Sequence, residues 1–385
     1  MKNQKLIRIT TVPLSLDKLL SGQLHFMNSY YEVIAVSSEK EYLERIGSKE
    51  NVSTFHLEMS RKITPLHDCI AVFRLVLFLR KQKPLIVHTH TPKAGIVGML
   101  AAKIAGVPNR LHTVAGLPLL EAVGLKRKLL DFVEKTTYSL ATKVYPNSYG
   151  LKDIILQNKF CPPQKLKVIA NGSSNGINTD YFNPDLFSTE QKVTVSSQLN
   201  ITETDFVFVF VGRLVKDKGL NELITAFELL QKNHTNAKLL LVGDYESDLD
   251  PLLPTTLYTI NHNPSIITVG FQQDVRPYLA IAHALVFPSY REGFPNVVMQ
   301  AGAMGLPSIV SNINGCNEII EEGINGTIIP VKNADAIFQK MELFVKDINF
   351  YQELKKKSRI RITSRYDQLV VWNAILEEYQ QLLTP

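Results

Sequence analysis

Two turns carry the residues best suited to grip an anion. The first is Gly212-Arg213-Leu214-Val215-Lys216-Asp217-Lys218-Gly219, which follows the apolar run Phe206-Val207-Phe208-Val209-Phe210-Val211. An uninterrupted run of this kind reads as a strand of a parallel sheet buried on both faces. Arg213 and Lys218 then stand as two cations on one strand-to-helix turn, where they could clamp a diphosphate. The second turn follows another apolar run, residues 284–289, and reads Tyr290-Arg291-Glu292-Gly293-Phe294-Pro295. It leads into a proline-free stretch, Asn296 to Met304, that can be helical. Gly293 lets the backbone approach a ligand closely, and Pro295 suits the first helical position. The free N–H groups of the new helix would face a phosphate or a sugar hydroxyl. The plainer alternatives are an ordinary connection with an exposed glutamate, and solvated loop charges.

In an open α/β sheet, ligands bind at such turns, so the elements around them matter. Strands are expected at 6–12, 31–36, 84–90, 110–114, 206–211, 237–243, 266–271 and 284–289. The strand at 84–90 ends in His88 and His90, which share a face because strand residues two apart do. The alternatives for this pair are a polar strand end with satisfied imidazoles or a metal pair lacking a recognisable third ligand. Lys93 lies at the start of the following helix, which is expected to run to about Ala105. Ser21-Gly22-Gln23 suits a strand-to-helix turn. Asp248-Leu249-Asp250 fits a metal-holding Asp-x-Asp pattern, but it sits in a loop just before Pro251 and is expected to be a solvated turn. No Gly-x-Gly-x-x-Gly follows a strand, which argues against a dehydrogenase, and no phosphate-binding P-loop is present.

The chain has 385 residues, enough for two domains with separate cores. Its net charge of +6 suits anionic ligands or an anionic membrane surface and is too small to argue for nucleic acid. Three scattered cysteines, Cys69, Cys161 and Cys316, point to a reducing compartment. Residues 1–5 are polar, so no signal peptide is visible, and the apolar stretch Ile70 to Leu79 contains Arg74 and is too short to cross a bilayer. A cytoplasmic location follows, with the inner face of the cell membrane as a place of contact. The segment from Gly124 begins with Lys126, Arg127 and Lys128 and is apolar at helical spacing. It could rest on anionic lipid, or be a helix packed on the sheet with a solvated basic start. The stretch 173–204 is rich in Asn, Ser, Thr and Gly and reads as an interdomain linker.

Glu292-Gly293-Phe294-Pro295, Ala-Met-Gly-Leu-Pro at 303–307 and the run from Ser311 to Glu318 resemble the nucleotide-sugar signature of glycosyltransferase family four. The Arg213 and Lys218 turn and the segment 266–271, ending in Phe271, match that family in order. In its pattern a second glutamate lies eight residues after the first; here that position is Gln300. Many members also carry a histidine where this chain has Ala115. The segment from His88 to Gly95 looks like bacterial enzymes that build capsular or O-antigen saccharides on a lipid carrier.

The resemblance implies an α/β fold with two Rossmann-like domains facing across a cleft, the GT-B architecture. It implies an acceptor domain over 1–172, a linker over 173–204, a nucleotide-sugar domain over 205–365 and a terminal helix over 366–385 that crosses back to the first domain. The activity implied is a retaining hexosyltransferase, using a UDP-sugar and a lipid-linked saccharide acceptor, with no cofactor and no metal. Arg213, Lys218 and Glu292 would be catalytic. Gly212, Phe271, Gly293, Phe294, Pro295, Asn296, Val297 and Gln300 would bind the donor, and Gly22, His88, His90 and Lys93 would line the acceptor side. A nucleotide-sugar epimerase of the same architecture and an inactive nucleotide-sugar-binding protein are the alternatives, the latter because of Gln300 and Ala115.

Overall fold

A computed structural model describes residues 4–60, 62, 64–117, 119, 122–246, 248 and 250–383. Residues 1–3 of the N-terminal stretch and Leu249 of the Asp-x-Asp pattern lie outside the described residues. The chain divides into two compact units, 1–175 with 369–385, and 176–368.

Each unit is built on a six-stranded parallel sheet. In the first, β1 (Lys5–Ile9), β2 (Glu32–Ser37), β3 (Ser53–His56), β4 (Ile86–Thr89), β5 (Asn109–Val114) and β6 (Lys143–Pro146) take the order β3-β2-β1-β4-β5-β6. In the second, β7 (Phe206–Val211), β8 (Ala237–Val242), β9 (Ile266–Thr268), β10 (Ala284–Phe287), β11 (Ser308–Ser311) and β12 (Gly326–Ile329) take the order β12-β11-β10-β7-β8-β9. Read from the other edge, this is the same order as the first sheet. Both are doubly wound, and each reverses direction at one switch point, β1/β4 and β7/β10 respectively. Registers such as Ile7↔Ile34, Ile7↔Val87 and Leu285↔Val209 fix these central pairings.

The central strands are buried because helices cover them. Leu220, Leu223, Ile224, Phe227 and Leu230 recur at helical spacing on the helix Leu220–Gln231 and enter the core beside Val207–Val211. In the first unit, Leu75 and Leu79 of the helix Pro65–Gln82 join Ile7, Val36 and Val87.

The stretch 173–204 differs from a linker. It carries the helix Thr189–Gln198, whose start is a capping box between Ser188 and Gln191. Ile177 N–H donates to Tyr366 O at 2.8 Å, and Gln368 N–H donates to Ile177 O at 3.1 Å, tying the stretch into the second unit. Ser, Thr and Asn serve helix caps as well as loops, so the polar composition does not separate the two. The terminal helix Gln368–Gln381 packs on the first unit, with Trp372 Nε1 donating to Asn175 Oδ1 at 2.7 Å.

Candidate active site

The switch point of the second sheet brings the two candidate anion-binding turns together. Lys218 follows β7 and Glu292 follows β10, and Lys218 Nζ lies 2.5 Å from Glu292 Oε1. Both side chains are about five-sixths buried, at 16% and 15% exposure. Ser289 Oγ donates to the same carboxylate oxygen at 2.9 Å. The Phe287 ring sits beneath the ammonium, 5.6 Å from its centroid, adding a cation–π contact.

The turns are stitched by further bonds. Tyr290 N–H donates to Asp217 O at 2.9 Å, and Arg291 Nη2 donates to Asp217 Oδ2 at 2.8 Å. Burial pushes the Asp217 carboxyl above its ordinary value, while the Lys218 ammonium opposes the shift. Asn314 Nδ2 donates to Glu292 O at 2.5 Å and to Gly293 O at 3.2 Å. Two glycines permit this closeness. A Cβ at Gly219 would lie 2.2 Å from Pro288 O, and one at Gly315 would lie 2.5 Å from Gly293 O; both have positive φ. Asp250 Oδ2 accepts from Asp217 N–H at 2.7 Å. The expected solvated Asp-x-Asp turn therefore includes a brace for the Lys218 turn, because the backbone of 216–218 offers it a donor.

Arg213 is half exposed and ion-paired with Glu246. Leu214 N–H donates to Asp244 O at 2.8 Å, and Phe271 N–H donates to Asp244 Oδ1 at 2.8 Å. Asp244 thus joins the Arg213 turn to Phe271, a residue 71% exposed. Gly212 follows β7 directly, and its N–H donates to Val242 O at 2.9 Å.

The helix after β10 runs Asn296–Ala303, and Pro295 is its N-cap with φ −74° and ψ 113°. It therefore stands one residue before the expected first helical position. Val298 N–H donates to Pro295 O at 3.2 Å, so the amides of Asn296 and Val297 precede the first helical bond. Phe294 turns its ring to Tyr366, 5.5 Å between centroids, and presents only backbone at the turn. Gln300 is half-buried on the second turn of the helix.

The first-unit candidates separate into bracing and open chemistry. Gly22 N–H donates to Glu50 Oε1 at 2.8 Å, and a Cβ there would meet Trp372 at 2.7 Å. A packing need accounts for that glycine. Lys93 is ion-paired with Asp68 and has a side chain only 10% exposed. His88 Nδ1 contacts Tyr379 Oη at 2.5 Å and its Nε2 contacts Thr113 Oγ1 at 2.7 Å. Neither ring nitrogen of buried His90 has a protein partner. Burial, with the other imidazoles and Arg8 adding to it, holds His90 well below the usual histidine range.

Two family models match the chain: "Glycosyl transferase 4-like domain" over residues 27–172 and "Glycosyl transferases group 1" over residues 192–361. The capsular polysaccharide biosynthesis glycosyltransferase CapM of Staphylococcus aureus is 31% identical, with all of this chain and 98% of that protein covered. The chain belongs to this glycosyltransferase family. A UDP-Gal:alpha-D-GlcNAc-diphosphoundecaprenol alpha-1,3-galactosyltransferase of Escherichia coli is 29% identical over 80% of the chain and 78% of that protein. The crystal structure of Anabaena HepE in complex with UDP shares the fold, with a TM-score of 0.81 at 17% identity over 98% of this chain and 100% of that one. The protein is thus a hexosyltransferase-type glycosyltransferase of the GT-B class, with two Rossmann-like domains.

Sequence reasoning on this glycosyltransferase missed Ser289, Asn314, Gly315, Asp244 and Asp217. Asn314-Gly315 does carry a turn signal. Asp217 and Asp244 act through partners far away in the chain, which spacing does not show, whereas Ser289 reaches Glu292 only three residues on.

Proposed function

We propose that the enzyme transfers a hexose, with retention and without a metal, from a UDP-sugar to a lipid-linked saccharide. The observation that carries this is the Lys218–Glu292 pair at the switch point, beside the N-terminus of the helix Asn296–Ala303. As the anomeric carbon–oxygen bond breaks, negative charge grows on the leaving diphosphate. Lys218, Arg213 and the amides of Asn296 and Val297 are the donors that would meet it. Preorganised donors of this kind contribute about 2.7–4 kcal/mol each. The acceptor hydroxyl forms the new bond on the same face of the sugar and gives its proton to a leaving phosphate oxygen. Glu292 would bind a sugar hydroxyl and offset the positive charge on the ring. The UDP bound to HepE and the lipid diphosphate named for the Escherichia coli relative support the choice of donor and acceptor classes.

A lipid-linked acceptor calls for a surface that meets lipid. Among the described residues no helix is long and apolar enough to cross a membrane. The helix Gly124–Leu140 supports peripheral contact in part: Lys126 and Lys128 are exposed beside exposed Val123 and Leu125. Arg127 instead turns inward to Asp131 at 2.7 Å, to Leu119 O and to Asn158. The helix Pro65–Gln82 adds an outward apolar stripe of Leu66, Ile70, Phe73 and Leu77, flanked by exposed Arg74, Arg80 and Lys81. Both helices pack on the helix Pro92–Ile104.

Incubation with radiolabelled nucleotide sugars and a bacterial lipid extract tests the reading. Label moving to the lipid fraction supports it. Conversion of the free donor would make the protein an epimerase, and binding without turnover would make it inactive.

A further inference from the structure

The turn that carries Glu292 is held from the neighbouring strand by one side chain, Asn314. This residue stands between β11 and the helix Cys316–Ile319. Asn312 N–H donates to Ile329 O at 2.7 Å and Asn317 N–H to Ile313 O at 3.1 Å, so the backbone is tied on both sides of it. Its Nδ2 reaches Glu292 O and Gly293 O together. Carbonyl oxygens only accept, so the amide nitrogen is assigned to that side, and its two hydrogens serve one carbonyl each.

Peptide geometry carries this grip through to the other side of the turn. In a planar trans peptide the C=O of one residue and the N–H of the next point in opposite directions. No peptide bond among the described residues is cis. Pinning the carbonyls of Glu292 and Gly293 to Asn314 therefore turns the N–H groups of Gly293 and Phe294 away from it. Neither N–H donates to a protein acceptor among the described residues.

The Glu292 carboxylate is divided in the same way. Lys218 Nζ and Ser289 Oγ both meet Oε1, whereas Oε2 has no hydrogen-bond partner among the described residues. The turn thus offers one anionic acceptor and two unpaired donors on consecutive residues. A hydroxyl both donates and accepts, so it can give its hydrogen to Oε2 and accept from an amide. A phosphate oxygen has no hydrogen to give, and the carboxylate repels it. We propose that Asn314 is a positioning residue: by pinning two carbonyls it aims the Gly293 and Phe294 amides at the donor-sugar hydroxyls that Glu292 engages. The inference rests on the proposed transfer from a nucleotide sugar and adds the residue that fixes where the sugar sits.

The test measures by calorimetry the affinity of the full chain for UDP and for UDP-glucose, UDP-galactose and their N-acetyl forms, with GDP and GDP-mannose as a second pair. The ratio of nucleotide-sugar to nucleotide affinity isolates the sugar. Asn314→Ala is expected to lower that ratio about tenfold, and the near-isosteric Asn314→Asp roughly a hundredfold, because its acceptor oxygens oppose both carbonyls. UDP affinity should stay unchanged in both variants. If the side chain only fills space, Asn314→Asp keeps its shape and is the milder change. If Asn314→Asp does not fold, Asn314→Leu, similar in size and unable to donate, is expected to match Asn314→Ala. An unchanged ratio in Asn314→Ala or Asn314→Leu, an aspartate variant milder than the alanine one, or UDP weakened as much as the UDP-sugar would overturn the proposal. The same loss seen with GDP-mannose alone would uphold Asn314 and sink the UDP assignment instead. A wild type that binds no nucleotide sugar would overturn both.

Discussion

At the scale of single residues, Glu292 and Gln300 stand where the family pattern carries two glutamates, and under the proposed function they would divide that work. Glu292 is held by Lys218 and Ser289. Gln300, half-buried one turn into the helix, has one carbonyl acceptor and two amide donors. Beside a bound nucleotide it would forfeit the charge-assisted bond of a carboxylate to a ribose hydroxyl but would add no anion near the diphosphate. Gln300→Ala is therefore expected to weaken UDP binding more than deoxy-UDP binding, while Gln300→Glu stays active. Equal weakening of both nucleotides, measured by calorimetry, would remove the ribose contact. Glu292→Gln is expected to lower turnover more than Gln300→Ala does, since under the proposed function its charge would serve the sugar. The types and turns of these residues were legible from sequence. Their partners were not: Arg213 finds Glu246, and Lys93 finds Asp68, through strand ordering that no local spacing records.

At the scale of elements, the outward stripe of the helix Pro65–Gln82 breaks the usual rule that apolar residues face the core. Leu66 is 80% exposed and Phe73 64%. Electrostatic attraction to anionic lipid is worth about 1 kcal/mol per basic residue near the surface. Lys126→Glu with Lys128→Glu, or Phe73→Glu alone, should release the protein from vesicles containing phosphatidylglycerol, whereas Arg127→Glu should act mainly on stability. Sedimentation checks this, and a wild type that never sediments with such vesicles at low salt would contradict it. Most strand positions were readable because parallel buried strands are uninterrupted apolar runs, whereas β3, β11 and β12, each only four residues long, were not. The helix at 189–198 was not, because its polar surface looks like a linker and only the Ser188–Gln191 capping box marks it.

At the scale of the whole molecule, both sheets repeat one strand order; the first unit buries His112 and the second half-buries His283. Burial lowers His112 in the first unit and His283 in the second to about 4. Unfolded histidines near 6.5 bind protons more readily, so this contribution is fully present above pH 6.5 and is lost as pH falls through 4. Each histidine accounts for about 3 kcal/mol over that window. Glu134, pushed up to about 6 by burial, works against the trend between its unfolded value and pH 6. Denaturation midpoints are expected to fall between pH 6.5 and pH 4, and His112→Gln should flatten the slope; a flat wild-type profile would contradict the assignment. The doubled α/β pattern was visible in the alternation of apolar runs and helical stretches, whereas the opposed titrations depend on burial that only the folded packing sets. The central claim is a metal-free diphosphate clamp at the β7/β10 switch point. Its most direct test is the initial rate of sugar transfer to lipid in EDTA, wild type against Lys218→Ala. The account predicts undiminished wild-type transfer and a loss of roughly 10²–10³-fold in the variant. Transfer abolished by EDTA and restored by magnesium or manganese, or a variant rate near wild type, would contradict it.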